Sequence, residues 1–481
     1  MQFSHQQKRR RKTTTVVVAD DFYLPDECWE SIFKFLNDGA NYRELKSLSL
    51  VSKLFLSITN RLVISLTVYN NGIGPFLGSI LGRFTNLTSL KIKRYKRIDF
   101  NVLLGQISRF PLKLSSLNLS NHRTIPAGLR AFSQNITTLT SFTSSRMGSI
   151  NSNDLLLIAE CFPLLEELNL CYPRKFKDHS FLNRVETLSL TLFKLTKINL
   201  SGHHYINDTS LFNLFKNCKL LQEVIMFRCR SITKVGIVSA LCERPTLRSL
   251  SFTNYFEIKN IAMLYELVGN YPLLSEIKME YAPLSEISIE NSNSLMNFAV
   301  RPQLKSLGLV RNWLRDKNIK RFASIFPNLQ LLDLSGCCNI SNEGILQVLR
   351  RCGNIRHLNL ACTCVTLDGL NFEVPKLEVL NLSYTGVFDE ILYEISKNCR
   401  GLLQLLLQCC HNVRDKGVMH VVGNCLQLKE INLRRCHRVH ANIVDDMVFS
   451  RPSLSKIKTP PGFDLCSKNR ELFLRNGCLV Y

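Results

Sequence analysis

Leu329-Gln330-Leu331-Leu332-Asp333-Leu334-Ser335-Gly336-Cys337-Cys338-Asn339-Ile340 is one copy of a motif that most of the chain repeats. Its skeleton is L-x-x-L-x-L, then Cys or His three residues after the last Leu, an apolar residue three further on, and an amphipathic helix. The first apolar position recurs at Leu195, Leu221, Leu247, Leu274, Leu304, Leu329, Ile355, Leu377, Leu402, Leu428 and Leu454, eleven starts over 259 residues. The mean step of about 26 lies in the range of short structural repeats. One copy cannot bury its leucines alone, so neighbours must stack, and one elongated array is expected in place of the three domains that 481 residues suggest.

The pattern is that of a leucine-rich repeat. The expected fold class is therefore α/β, a leucine-rich-repeat solenoid whose parallel sheet lines the concave side of a horseshoe. Earlier copies are less regular. Val63-x-x-Leu66-x-Val68, Leu87-x-x-Leu90-x-Ile92, Leu114-x-x-Leu117-x-Leu119 and Leu165-x-x-Leu168-x-Leu170 fit, whereas Ile136-x-x-Leu139 fits poorly. Val185-x-x-Leu188-x-Leu190 competes with Leu195 as a strand, and Leu284-x-x-Ile287-x-Ile289 is a surplus copy that predicts a long loop or irregular repeat. The division expected is a basic tail over 1–21, a helical unit over 22–61, about 15 or 16 repeats over 62–459 and a C-terminal cap over 460–481.

Apolar residues make up 45% of the chain, enough for a continuous core, and no run approaches the roughly 18 apolar residues of a membrane span. Met1 to Arg11 is polar and basic without an apolar stretch, so no secretory signal is read, and the 18 Cys are expected as thiols in a reducing compartment. Cys229, Cys337, Cys410 and Cys436 follow the strands, while Cys218, Cys352, Cys399 and Cys425 fall near helix ends. Cys410-His411 and Cys436-His437 look like metal ligands but stand one repeat apart, so no metal and no cofactor is assigned. The terminal Cys478-Leu479-Val480-Tyr481 has the form of a prenylation signal with a disfavoured last residue.

Net charge is +23, of which residues after 70 carry +20 (51 Lys/Arg against 31 Asp/Glu). Such a surface favours acidic or phosphate-bearing partners and also keeps an apolar array in solution. Nucleic-acid binding is motivated by charge alone, because no motif for base recognition is present. Lys8-Arg9-Arg10-Arg11-Lys12 reads as a nuclear-import signal or a solvated tail, and a nuclear or cytoplasmic location is expected.

Residues 24 to about 60 lack the repeat and read as three short helices. Pro25 suits a first turn, Asn37-Asp38-Gly39 a stop, Asn41-Tyr42-Arg43-Glu44 a capping box, and Val51, Leu54, Phe55 and Ile58 an apolar face. In the first helix Cys28, Ile32 and Phe35 make one apolar stripe and Trp29, Phe33 and Leu36 another, wider than so short a helix needs for itself. Fewer than 40 residues rarely fold alone, so this unit must pack on the first repeat, on a partner, or on both.

Leu24-Pro25-Asp26-Glu27-Cys28-Trp29-Glu30-Ser31-Ile32-Phe33-Lys34-Phe35-Leu36, followed by Leu48-Ser49-Leu50-Val51-Ser52-Lys53, resembles an F-box. With the cysteine-containing array after it, the whole chain resembles a plant-type F-box/leucine-rich-repeat protein. The resemblance implies that Leu24, Pro25, Ile32, Phe33, Leu36, Leu50 and Val51 contact a Skp-type adaptor, and through it a cullin-RING ubiquitin ligase. Phe55 stands where the family often has an aromatic in a basic stretch.

With Leu at positions one, four and six inside, positions three, five and seven face the concave side. Position five is repeatedly Asn: Asn118, Asn169, Asn199, Asn359, Asn381 and Asn432. Ile225, Phe227, Val310 and Leu331 place apolar groups there instead, a signature of binding. Aromatics follow the strands at Tyr95, Tyr172, Tyr205, Tyr255, Tyr281, Trp313 and Tyr384, with Arg94, Arg228, Arg230, Arg311 and Arg434 near them. The candidate target-binding set is Ile225, Phe227, Arg228, Val310, Arg311, Trp313, Leu331 and Arg434. No catalytic motif is found, so a non-catalytic role is expected: a subunit that selects a target protein for ubiquitination and proteasomal degradation. A hormone-type small-molecule receptor and a scaffold without ligase role are the alternatives.

Overall fold

The computed structural model describes residues 24–36, 43–68, 76–93, 100–174, 181–254, 262–281, 299–464 and 467–481. Among them, seventeen short strands join into a single sheet, each pairing in parallel with the next. Sixteen lie between residues 65 and 458, and the last is Leu479–Val480. The register keeps the central apolar residues opposite one another: Leu332, Leu358, Leu380, Leu405, Ile431 and Ile457 form one continuous row. Each is buried. At about 1.5–3 kcal/mol per buried aliphatic side chain, that row and those at positions one and six are the main source of cohesion.

Side chains then complete the ladder. In seven described repeats the third residue after the last core position points inward and donates to the strand-end carbonyl of the preceding repeat, whereas Thr363 and Thr385 at this position donate to Leu360 O and Leu382 O of their own strands. Cys229 Sγ reaches Leu200 O at 3.3 Å, Cys337 reaches Leu309 O at 2.9 Å, Cys410 reaches Leu382 O at 3.1 Å and Cys436 reaches Leu407 O at 2.9 Å. His122, His203 and Asn312 do the same with a ring or amide nitrogen, to Ile92, Leu170 and Met279. Cys and His alternate here because both supply one donor of modest size. Burial lowers the pKa of His203 to about 4, so its ring stays neutral with Nε2 as donor to the Leu170 carbonyl.

Helices alternate with most strands, and their first turns interlock. Asp208, at the start of helix Asp208–Asn217, accepts Thr233 N–H at 2.6 Å and the Thr233 hydroxyl. Asp316 holds Ser341, Asp389 holds Arg414 N–H, and Asp415 holds His440 in the same way. The carboxylate needs room on the following helix, and glycine supplies it. A Cβ on Gly236 would stand 2.0 Å from Asp208 Oδ1, and one on Gly344 or Gly417 2.5 Å from Asp316 or Asp389.

Two sequence expectations change. Val185, Leu188 and Leu190 lie in helix Phe181–Thr191, not in a strand. Val185 and Leu188 turn inward together with Leu192, at three- and four-residue spacings, while Leu190 is exposed. The poorly fitting copy has its strand at Ser141–Thr143, so Leu139 is its first position and Phe142 its centre. The surplus copy at Leu284, the basic tail, the proposed stop at Asn37 and the capping box from Asn41 lie outside the described residues, wholly or in part.

At the N-terminal end, α1 (Asp26–Leu36), α2 (Arg43–Leu48) and α3 (Lys53–Leu62) precede β1 (Ser65–Val68). Trp29, Phe33 and Phe55 stack around a small core with Leu45, Ile58 and Leu62. Arg61 ties α3 to α1 through Asp26 at 2.9 Å and Glu30 at 2.8 Å. The same helix is joined to the next repeat, where Arg83 Nε donates to Asn60 Oδ1 at 2.7 Å and Asn86 to Arg61 O at 3.0 Å. At the other end, helix Ser467–Arg475 and strand Leu479–Val480 cover the last repeat with Phe473, Cys478 and Val480.

The interlock has a measurable consequence. Gly236→Ala is expected to cost about 1–3 kcal/mol, the usual range for forcing an atom into a packed site. Gly423→Ala, in helix Asp415–Asn424 with open space around its Cα, should leave the urea midpoint unchanged or slightly raised. Equal losses at both sites would mean that the aspartate contact is not what Gly236 provides.

Candidate functional site

Position five divides the concave sheet into two kinds of strand. Where it is Asn or Asp, the side chain turns back and accepts the N–H two residues on, at 3.0–3.1 Å in Asn118, Asn169, Asn199, Asp333, Asn359, Asn381 and Asn432. These residues finish the strand. The pattern lapses at Thr67, Lys91, Thr143, Leu406 and Lys458 and, in its longest run, at Ile225, Ser251, Lys278 and Gly308 on four successive strands, where the surface is free to vary.

That run holds a connected group. Ile225 and Phe227 are half-buried. Lys278 Nζ lies 5.9 Å from the centre of the Phe227 ring and 3.7 Å from Asp333 Oδ2, so one side chain spans from the strand Glu223–Met226 to the strand Leu331–Asp333. It crosses Gly308, where a Cβ would come within 2.8 Å of Lys278 Cγ. Arg228 is exposed, with its guanidinium 5.8 Å above the Tyr172 ring. Tyr172 itself lies over Gly202, whose Cβ would meet the ring at 2.9 Å. Burial pushes the Tyr172 phenol above its usual range and Glu280 adds to this, while Arg228 acts the other way.

The rim follows from backbone geometry. The residue after position seven takes a left-handed conformation in repeat after repeat, including Asn121, Arg146, Tyr172, Arg228, Arg311, Cys362, Tyr384 and Cys409 with φ between 54° and 69°. Its N–H then reaches the next repeat, as in Tyr172 to Ser201 O at 2.7 Å, Arg311 to Ser335 O at 2.8 Å and Tyr384 to Gln408 O at 2.8 Å. Recurrence at equivalent positions makes this a feature of the repeat. Its effect is to hold Tyr172, Arg228, Arg311 and Tyr384 on one edge of the sheet. Arg311 leans over Gly336, whose Cβ would stand 2.7 Å from Arg311 Cγ.

Of the candidate target-binding set, Ile225, Phe227, Arg228, Val310, Arg311 and Leu331 therefore fall within five adjacent strands, about 19 Å across at the usual strand spacing. Trp313 is half exposed in the loop beyond Arg311, beside a cavity of about 570 Å³ shared with Arg315, Lys317 and Asn339. Arg434 is four strands further on and does not join the group. It neighbours another charged cluster, where burial opposes ionisation of Glu430 but Lys456 and Lys458, at 3.0 and 3.3 Å, outweigh it and hold the carboxyl below its usual range. Arg94, Tyr95 and Tyr255 lie outside the described residues. Lys278, Tyr172 over Gly202 and the Asp333 pairing went unread in the sequence, although Gly308 inside a strand signals a close approach.

The adaptor set divides differently. Ile32, Leu36, Leu50 and Val51 are exposed, Pro25 is exposed and Leu24 half-buried. Phe33 corrects the expectation: it is 1% exposed at the centre of the three helices, so it builds the unit and offers no contact. The inward stripe is Trp29 and Phe33, and the outward one is Ile32, Phe35 and Leu36.

The Cys-His pairs are arranged for packing. Cys410 and Cys436 point inward, whereas His411 and His437 stack outside with ring centres 5.7 Å apart. Among the described residues no three metal-binding side chains cluster, and no helix is long and apolar enough to cross a membrane.

No family model matches the chain. Its fold is similar to solved structures at low identity. That of the yeast Rad7 and Elc1 complex aligns over 95% of this chain and 92% of the other, at 17% identity and a TM-score of 0.43. An internalin of Listeria monocytogenes aligns over 78% and 91%, at 14% identity and a TM-score of 0.34.

The thiols carry a prediction. Burial raises the pKa of Cys218, Cys229, Cys337, Cys399 and Cys436 to about 12 and of Cys352, Cys410 and Cys425 to about 11. Alkylation of the native chain near pH 8, read by peptide mass spectrometry, should modify the exposed Cys338, Cys362 and Cys364 and spare the ladder until urea is added. Early labelling of Cys337 or Cys410 would contradict the packed ladder.

Proposed function

We propose that this chain is the substrate-recognition subunit of a Skp-cullin-F-box ubiquitin ligase. The observation that carries the proposal is the apolar surface of the three N-terminal helices. Their interior is already filled by Trp29, Phe33, Phe55, Ile58 and Leu45. Yet Ile32 is 40% exposed, Phe35 89%, Leu50 81% and Val51 66%. Large side chains of this kind cost solubility unless another protein covers them. They lie in the two segments that resemble an F-box, and the helices continue directly into the first strand. A partner held there is thereby fixed relative to the concave sheet.

The solenoid then supplies the target site. Phe227 and Ile225 offer apolar contact, and Arg228, Arg311 and Lys278 offer charge, in positions set by glycine-seated packing. Preorganised anchors of this type bind with less loss of side-chain entropy. The chain's own contribution is proximity: it raises the effective concentration of a target lysine near a conjugating enzyme and makes no bond itself. A nuclear or cytoplasmic location follows from the same proposal.

The test is co-purification of the full chain with a Skp-type adaptor. Ile32→Asp with Val51→Asp should weaken capture by about 1,000-fold, the effect of losing two anchors of about 2 kcal/mol each. The thermal transition of the solenoid should be unchanged. Phe33→Asp should instead melt the N-terminal helices. Failure of the wild-type chain to retain the adaptor would overturn the assignment.

A further inference from the structure

Among the described residues, one fully described repeat has turns in place of a helix. Strands His357–Asn359 and Val379–Asn381 pair directly, and the residues between them form turns. On either side the convex helices pack in pairs, Asp316–Ile325 with Asn342–Arg351 and Asp389–Asn398 with Asp415–Asn424. Helices Asn342–Arg351 and Asp389–Asn398 are held apart. The connecting segment fills part of the gap: Asn342 Oδ1 accepts the Thr366 and Leu367 N–H groups, Asn398 donates to Leu370 O, and Phe372 sits beneath the Arg350 guanidinium.

A groove of about 590 Å³ remains beside helix Asp389–Asn398. Its apolar lining is Leu367, Ile391, Phe388 and Tyr393, the last two 39% and 37% exposed. Its charged lining is Asp368, Asp389, Glu390 and Glu394 against Lys416 alone, with His420 set edge-on to Tyr393 at 4.9 Å. Asp389 is spent on Arg414 N–H. Asp368, Glu390 and Glu394 make no ion pair with any described residue. The Tyr393 ring is held in place by Lys397 Nζ, 4.7 Å from its centre, and by His420.

We propose that this convex groove docks a cationic amphipathic helix of a partner protein, seated against the turn Leu367–Gly369 and the outer face of helix Asp389–Asn398. The lining argues for an amphipathic helix, since an apolar strip of Leu367, Phe388, Ile391 and Tyr393 runs beside carboxylates on one face of helix Asp389–Asn398. The charge argues for a basic one: an acidic rim on a chain of net charge +23 attracts lysine and arginine locally, while the rest of the surface repels them. Apolar side chains of the guest would enter between Phe388 and Tyr393, as helices do in hydrophobic grooves. The site is on the opposite face from the concave patch and does not depend on the adaptor assignment.

The probe is a stapled, fluorescein-labelled helix of leucine and lysine, about ten residues and so about 15 Å long. Fluorescence anisotropy with the full chain should show saturable binding that weakens with salt. A matched leucine-glutamate helix should not bind. Glu390→Lys with Glu394→Lys should lower affinity at least tenfold, and Asp446→Lys on helix Ile443–Ser450 should leave it unchanged. Should the double variant lose its melting transition, Asp368→Lys in the exposed turn reads the same rim. No saturable binding, equal binding of the glutamate helix, or full affinity in the rim variants would overturn the proposal.

Discussion

Every strand in this molecule ends on carbonyls that a neighbouring repeat has to answer, and the structure depends on that debt being met. Parallel pairing meets it along the strand, and the left-handed residue beyond position seven extends the pairing by one more bond, as Tyr384 N–H does to Gln408 O. The inward Cys, His or Asn then donates back to the preceding repeat. The repeats that carry this Cys, His or Asn are thus bonded in both directions along the array, with leucine rows beneath. A leucine-rich array with unanswered carbonyls would bury them at about 1–3 kcal/mol each.

Because these bonds use the backbone and inward side chains, the concave residues carry little structural duty except at position five. There the Asn side chain closes the strand end, and its replacement by Ile225, Lys278 or Gly308 releases the surface for contact. Glycines at 202, 308 and 336 let Tyr172, Lys278 and Arg311 lie flat across the next strand. The recognition surface is therefore a set of substitutions within a rigid lattice, held by neighbours and not by long loops.

The repeat, its handed order of strand and helix, and the inward cysteines were legible because a fixed period repeats the same burial. Phe33 was misassigned because it and Ile32 are adjacent and both apolar: nothing in spacing alone says which of two stripes faces the core. Trp29 and Phe55 decide it, since three aromatic rings pack together and leave Ile32 outside. Val185 to Leu190 satisfied the strand pattern by coincidence, and the helix became visible only through Leu192, buried seven residues after Val185. The Lys278 to Asp333 contact spans two strands and about 55 residues of sequence, a separation that local patterns do not reach.

The central claim is that the N-terminal helices and the concave sheet perform separable tasks. The direct measurement is proximity labelling in cells from the C-terminus of three chains: wild type, Ile32→Asp with Leu50→Asp, and Phe227→Glu with Arg228→Glu. The account predicts that adaptor and cullin label with the wild type and the concave variant but not with the helix variant. A distinct set of proteins should label more strongly with the helix variant than with the wild type, because they are held and not degraded, and should vanish with the concave variant. Loss of the same proteins from both variants, with both chains folded, would contradict it.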